Sequence, residues 1–341
     1  MQMPFVFDRY RSVIDAQLKS VMAPYRSPLY DMMRYHLGWI DERGNDLTDA
    51  SGKALRPTLC LLSCEATGSD IARALPAAAA VELIHNFSLI HDDIQDDDGE
   101  RRHRPTVWKV WGKAQAINAG TAMKILANMS LARSSRDALP PEKQQRMLAS
   151  LDDATLKLIE GQYLDIDFEQ RSEIDIDDYL AMIKGKTAAL IACSMELGVL
   201  SGTDDADTIQ RFRDFGENLG IAFQIRDDIL GIWGDPNMTG KPLGSDIRRK
   251  KKSLPVVFAL SRAADRQRDA IFKMLQKEIL ADDDVETFLG ILDDMHVRAS
   301  VQEMADGYCD KARRKIREAG IEPGSRGDFE HILEFLSARN Y

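Results

Sequence analysis

The sequence predicts an all-α fold: one domain over residues 1–341, built as a bundle of long helices around a central cavity. Three observations predict it. Apolar residues recur at spacings of three and four along most of the chain, and hardly any stretch alternates apolar and polar residues as a half-buried strand does. No segment rich in glycine, serine or proline divides the chain, and no short-period repeat is present. Two apolar helical runs end in paired aspartates, Asp92-Asp93 and Asp227-Asp228, and two such helix ends can face one another across a cavity.

Taken in order, residues 5–40 read as two helices separated at Pro24 and Pro28. Residues 45–53 form a polar loop that delivers Gly52-Lys53-Ala54-Leu55-Arg56-Pro57 to the start of the next helix. Pro57 is tolerated in a first turn, and a helix start flanked by Lys53 and Arg56 is a natural anion site. The apolar run 77–90 leads into Asp92, Asp93 and Asp96. Long helices are expected over 107–132, 144–164, 177–201 and 207–230, the third carrying Lys184, Lys186 and Thr187. A turn-rich loop, 234–241, precedes Asp246 and the basic run 248–252, which reads as a solvated loop. Helices over 254–275, 285–319 (stopped by Gly320) and 328–338 close the chain.

With 341 residues, 44% of them hydrophobic, the chain is long enough to bury a large core. A net charge of −10 argues against nucleic acid and anionic membranes as partners, while local basic patches remain able to take phosphate. No apolar run reaches the length of a membrane span, since 75–84 is broken by Glu82. Cys60, Cys64, Cys193 and Cys309 are too few and too scattered for a disulfide framework, which predicts a reducing, cytoplasmic setting. Cys60 and Cys64 read as small buried apolar residues, not as half of a zinc site. The N-terminus lacks the basic and apolar regions of a signal peptide.

The chemistry concentrates between His85 and Thr106. At 100° per residue Asp92 and Asp96 share one helix face and Asp93 flanks them, so two carboxylates one turn apart can clamp a hard cation. Such a site suits Mg²⁺, which keeps several waters and shares its sphere with substrate phosphates, and therefore implies a phosphorylated ligand. Arg101, Arg102 and Arg104 follow, with guanidinium groups that match phosphate bidentately. Residues 222–229 echo 87–94 and supply the second acidic pair. Lys53, Arg56, Arg101, Arg102, Lys186, Lys241 and Lys251 are more cations than one diphosphate requires; two diphosphate esters would use them all. No Ser-His-Asp or Cys-His arrangement points to covalent catalysis. Metal ions and cations aimed at a departing diphosphate suit ionisation of an allylic diphosphate.

These motifs, in this order, resemble the trans-isoprenyl diphosphate synthase (polyprenyl synthetase) family, from about Gly52 to Pro255 by motif and beyond by helical pattern. The resemblance implies an isoprenoid synthase-like helical fold, three Mg²⁺ ions and a homodimer. Its substrates would be isopentenyl diphosphate and a dimethylallyl, geranyl or farnesyl diphosphate. By the same likeness Lys53, Arg56 and His85 hold isopentenyl diphosphate, and Asp92, Asp96 and Asp227 carry Mg²⁺. Arg101 would grip the allylic diphosphate and Arg102 that of isopentenyl diphosphate. Lys186, Lys241 and Lys251 would neutralise the leaving diphosphate, while Thr187 and Gln224 steady the carbocation region. A class I terpene cyclase would not need Lys53, Arg56 and His85, and a non-catalytic subunit would be expected to have lost its acidic ligands.

The chain departs from the family pattern at three positions. Gly231 stands where the second acidic motif commonly has a third aspartate, and restoring Asp there is expected to change the Mg²⁺ requirement modestly. His103 replaces a glycine, and Thr121 an aspartate. For product length, helical spacing nominates Ser88 and Ile84 beneath Asp92, whereas the resemblance nominates Phe87, with small Ser88 beside it, as a short-chain pattern. The expectation is a C20 main product, geranylgeranyl diphosphate, with C15 farnesyl diphosphate as the nearest alternative.

Overall fold

Helices form where the periodic apolar residues placed them. The computed structural model describes residues 5–47, 52, 54–134, 139–171, 173–236 and 242–337. α1 (Val6–Met22) buries Phe7, Tyr10, Ile14, Leu18 and Met22, one stripe at helical spacing. α2 (Pro28–His36) opens on a proline at its first turn. α3 (Leu55–Ala66), α4 (Leu75–Gln95), α5 (Val107–Trp111), α6 (Lys113–Ala132) and α7 (Pro141–Gln170) follow. Then come α8 (Ile176–Ile183), α9 (Ala189–Gly202) and α10 (Ala206–Trp233). The chain ends in α11 (Ser245–Arg248), α12 (Leu254–Arg262), α13 (Asp265–Leu275), α14 (Asp282–Asp294), α15 (Val297–Glu318) and α16 (Pro323–Ser337).

α4 and α9 are apolar on every side rather than along one stripe, so both lie inside the bundle. Small residues let neighbours come close: the run Ala77–Ala80 is wholly buried in α4, and Gly198 of α9 touches α3 so tightly that a Cβ there would lie 2.0 Å from the Cys60 carbonyl. α4 packs on α6, α3 on α9 and α10 on α15. The buried apolar residues form two clusters, and α7, α10 and α15 each contribute to both. α10 runs through the first with Phe212, Phe215 and Leu219 and enters the second with Ile225, Ile229 and Ile232, so its acidic end sits where the clusters meet.

Several expected helices are interrupted, each for a local reason. The helix expected over 107–132 turns at Gly112, whose φ of 84° is open to glycine alone without strain. The one expected over 285–319 breaks at His296, held at φ 53°. That over 254–275 breaks between Arg262 and Asp265. Over 177–201, α8 passes into a single π-helical turn, Lys184–Ala188, before α9 continues. Such turns bulge the backbone and occur often at functional sites. The basic segment after Asp96 is a small hairpin pairing Glu100–Arg101 with Arg104–Pro105, too short to show alternation in the sequence.

The π-turn is pressed against α7. A Cβ at Gly161 would sit 2.1 Å from the backbone nitrogen of Lys186, and one at Gly185 would sit 2.7 Å from the Lys157 carbonyl. Backbone cannot yield as a side-chain tip can. Gly161→Ala is therefore expected to destabilise the fold by about 1–3 kcal/mol and to lower turnover by displacing Lys186. Thermal unfolding and steady-state rates check this; an unchanged melting point and rate would remove the tight-contact account.

Candidate active site

The two aspartate pairs are built alike. In each, the first carboxylate is accessible and the second is sunk into the core. Asp92 is partly exposed, whereas Asp93 is 1% exposed and accepts a 2.6 Å ion-paired hydrogen bond from Arg101 Nε. Asp227 is exposed, whereas Asp228 is buried and accepts from the Tyr179 hydroxyl, from the Leu254 backbone N–H at 3.0 Å and from Gln224 at 3.3 Å, with Lys251 3.9 Å away. Burial lifts the Asp93 carboxyl to about 6 against the pull of Arg101, and lifts Asp228 to about 6 against that of Lys251. Asp96 caps α4 at the rim of the site, where shielding from water and then the charge of Asp92 raise its carboxyl to about 6.

Cations lie between the acids. Lys186, on the π-turn, reaches Asp165 Oδ2 of α7 at 2.5 Å and Asp92 Oδ1 of α4 at 3.5 Å. Burial lowers its pKa, but Asp92 and Asp165 more than reverse that and raise it. Lys251 is likewise raised, against its own burial, by Asp228, Asp246, Asp165 and Asp227. Asp165 thus acts on both lysines and links the two acidic ends. Thr187 donates to Gln224 at 2.8 Å, tying the π-turn to α10.

A second cationic group lies one to two turns back along α4. His85, Arg56 and Arg102 come together, and the Arg102 guanidinium lies so close to Gly52 that a Cβ there would be 2.6 Å from it. Burial pulls the Arg56 guanidinium down to about 10, leaving it charged at neutral pH. His85 is driven well below its ordinary value by burial and then by Arg56, Arg102 and Arg101, and so stays neutral. Glu82, 7% exposed, lies beneath these cations with its Oε2 unpartnered among the described residues, and Asn86 donates to its Oε1 at 3.0 Å. Arg104 belongs to the scaffold: it donates to the carbonyls of Tyr35 and Ile40 at 3.1 and 2.9 Å and stacks 4.0 Å over the Tyr35 ring.

The structure thus brings together Arg56, His85, Arg101, Arg102, Asp92, Asp96, Lys186, Thr187, Gln224, Asp227 and Lys251; Lys53 and Lys241 lie outside the described residues. Sequence reasoning missed Asp165, Tyr179 and Glu82. Asp165 and Tyr179 stand on helices that carry neither aspartate pair, with only the small Gly161, one turn before Asp165, hinting at a close contact; Glu82, eleven residues before Asp93 on the same face of α4, was within reach of helix arithmetic.

The donor set fits a hard divalent cation. It offers oxygen ligands, and Oδ2 of buried Asp93 has no hydrogen-bond partner among the described residues. No three His, Cys, Asp or Glu side chains converge on a ready-made cage among those residues. Mg²⁺ needs none, because waters and substrate phosphates complete its sphere.

Two acidic helix ends joined through lysine and arginine make a site suited to metal-assisted diphosphate chemistry. The polyprenyl synthetase family matches residues 38–292. The chain is 44% identical over 245 residues to a (2E,6E)-farnesyl diphosphate synthase of Mycobacterium tuberculosis, a match covering 72% of this chain and 66% of that enzyme. It is 37% identical to a geranylgeranyl diphosphate synthase of Saccharolobus solfataricus over 87% of this chain and 88% of that one. The crystal structure of a polyprenyl synthetase from Streptomyces coelicolor superposes with a TM-score of 0.90 at 35% identity, covering 97% of this chain and 98% of the other. The chain belongs to the polyprenyl synthetase family. Among the described residues no helix is long and apolar enough to cross a membrane.

Two departures from the family pattern acquire a physical meaning. Arg102 and His103 form the hairpin turn with φ of 53° and 60°, both left-handed, the geometry that a two-residue type I′ turn demands and that glycine meets without strain. The His103 side chain is 93% exposed and has only a 3.9 Å approach to Glu100, so its own contacts do little to offset that strain. His103→Gly is expected to raise stability by about 1 kcal/mol, read as a higher denaturation midpoint; a lower midpoint would show that the imidazole contributes.

Gly231 is not simply an aspartate lost. A Cβ there would lie 2.2 Å from Oδ2 of Asp246, whose buried carboxylate fills the space. The modest effect anticipated for Gly231→Asp is therefore too small: the new side chain must displace Asp246 and set a second carboxylate beside it. The expected result is destabilisation by about 1–3 kcal/mol together with an altered Mg²⁺ requirement. Thermal melts and Mg²⁺ titrations of Gly231→Ala and Gly231→Asp separate bulk from charge. Wild-type behaviour in both would show that Asp246 yields freely.

Proposed function

We propose that this chain is a prenyltransferase that condenses isopentenyl diphosphate with an allylic diphosphate, a short-chain trans-prenyl diphosphate synthase whose main product is the C20 geranylgeranyl diphosphate. The chain acts as one unit, since three long helices run through both apolar clusters. Asp92, Asp96 and Asp227 would hold three Mg²⁺ ions, which when bound supply positive charge to the departing diphosphate. Lys186 and Lys251, kept charged by the acids around them, add to that neutralisation, and Arg101, fixed by Asp93, grips the allylic diphosphate. Arg56, Arg102 and neutral His85 hold isopentenyl diphosphate, His85 as a hydrogen-bond donor. Lys53 and Lys241 would join the two groups of cations. The allylic C–O bond breaks, the double bond of isopentenyl diphosphate supplies the electrons of the new C–C bond, and a proton leaves to the released diphosphate. The Thr187–Gln224 pair turns fixed dipoles toward the carbocation region.

The single observation that carries the C20 reading is Phe87, a buried ring about 7.5 Å down α4 from Asp92, with the small Ser88 beside it. The Ser88 hydroxyl is folded back onto the His85 carbonyl at 2.7 Å, which leaves the ring as the bulky element. The C15 product is the second reading, favoured by the 44% identity to a farnesyl diphosphate synthase.

A homodimer is part of this proposal. Ile117 and Ile125 of α6 and Leu156, Ile159, Tyr163 and Ile166 of α7 are exposed on adjacent helices joined by Lys124 and Asp152 at 3.1 Å, an apolar face that a second copy would cover. The four cysteines are buried and none is in a disulfide, in keeping with a cytoplasmic setting.

Purified protein incubated with labelled isopentenyl diphosphate, Mg²⁺ and each of the C5, C10 and C15 primers is expected to accumulate C20. Accumulation of C15 without extension of a C15 primer would overturn that length. Asp92→Ala is expected to lose on the order of 10²-fold or more in rate while remaining folded; near-normal Mg²⁺-dependent turnover in that variant would reject the metal assignment.

A further inference from the structure

The basic run 248–252, expected to be a solvated loop, is anchored at every residue. Arg248 pairs with Asp282 of α14 at 2.8 Å. Lys250 donates to the carbonyls of Lys277 and, at 3.0 Å, Glu278, between α13 and α14. Lys252 donates to the carbonyl of Phe168, at 2.6 Å, and to that of Arg171, at the end of α7. Lys251 faces Asp228 of α10 at 3.9 Å, and its backbone N–H donates to the Asp246 carbonyl at 2.9 Å. Arg249 goes the other way: its Nη2 lies 2.6 Å from Oδ1 of Asp98, in the segment that follows α4. Lys250 beside it is left-handed, at φ 54°, a conformation that a residue with a side chain keeps only where its surroundings over-determine it.

Asp98 is a fixed post. Its N–H donates to the Asp93 carbonyl at 3.0 Å, and its own carbonyl accepts from the Thr106 hydroxyl at 2.9 Å and from the Trp108 indole N–H at 2.8 Å. It stands between Asp96, assigned to metal, and Arg101, assigned to the allylic diphosphate. We infer that Arg249 and Asp98 are positioning residues for the prenyl transfer proposed above, an inference that rests on that reading. Their pair ties the segment bearing Lys251 to the side of the site that bears Asp92 and Arg101, and so keeps Lys251 in register with the diphosphate that Arg101 grips. Lys186 and Asp92 also join the two sides, at 3.5 Å, but both are assigned to metal or diphosphate and exchange partners when substrate binds. Arg249 and Asp98 are assigned to neither, so their tie stands through turnover.

The experiment compares full-length wild type, Arg249→Gln, Asp98→Asn and the double variant at saturating Mg²⁺. It measures steady-state rates against geranyl and isopentenyl diphosphate, calorimetric binding of inorganic diphosphate, and thermal melts. Arg249 is 64% exposed and Asp98 23%, and a pair this open corresponds to about a 2- to 5-fold factor. Each single variant is expected to lower kcat/KM for geranyl diphosphate and to weaken inorganic diphosphate by that factor. The double variant is expected to do no more than either single one, since the second change removes nothing that the first has left. The KM for isopentenyl diphosphate and the melting point are expected to stay at their wild-type values, because the hairpin bearing Arg102 keeps its anchors on Asp93, Tyr35 and Ile40. Charges acting without a tie give opposite signs: loss of Arg249 weakens a bound anion and loss of Asp98 strengthens it. Opposite signs, additive losses, equal KM shifts for both substrates or no change at all would overturn the tie and leave the prenyltransferase reading in place. Should Asp98→Asn fail to fold, the split between geranyl and isopentenyl diphosphate in Arg249→Gln decides. A wild type that neither turns over these substrates nor binds diphosphate with Mg²⁺ would reject the reading itself, and the tie with it.

Discussion

One carboxylate in each aspartate pair is buried against a cation, and the arrangement of the site follows from that. A buried charge is costly unless it is paired and hydrogen-bonded. Asp93 can therefore be sunk beside α4 only with Arg101 upon it, and Asp228 only with Tyr179, the Leu254 backbone N–H and Lys251 gathered round it. Each such pairing fixes where a cation stands. It also leaves Asp92 and Asp227 as the accessible members. The burial that strains the second aspartate thus prepares the position of the first.

The same withdrawal from water sorts the charges along α4. At its C-terminal end carboxylates are raised and ammonium groups kept charged, so a divalent cation and an anionic leaving group find partners already in place. One to two turns earlier the balance reverses: Arg56 and Arg102 lie over a single buried Glu82, and burial, then the crowding of positive charge, keeps His85 neutral. Two anionic groups can thus be held side by side on one helix without sharing their ligands.

Backbone conformations unavailable to an ordinary helix complete the geometry. The π-turn carrying Lys186 and Thr187 lies in backbone contact with α7 because Gly161 and Gly185 carry no side chain, and from it Lys186 reaches Asp92. The hairpin bearing Arg101 and Arg102 turns through two left-handed residues, neither of them glycine. Strain of this kind persists only where surrounding contacts over-determine it, and here the anchors of Arg101 on Asp93 and of Arg104 on Tyr35 and Ile40 hold both strands of the turn.

The all-helical class, the two acidic helix ends and the basic helix start were legible in the sequence by itself, because helical period and local spacing depend on neighbours a few residues apart. Asp92 and Asp96 could be placed on one face by arithmetic on the helix, and the Gly-Lys-Ala-Leu-Arg-Pro start by its position before an apolar run. The helix breaks at His296 and within 184–188 were not legible, since no proline marks them and tertiary contacts decide them. Only the tertiary structure decided that Asp165 would join Lys186, that Arg104 would turn into the scaffold, that Asp246 would fill the space beside Gly231, and that Arg249 would reach Asp98. Each of these joins residues far apart in the chain, and contacts of that kind are set by how closely two backbones can pack, which no local pattern encodes.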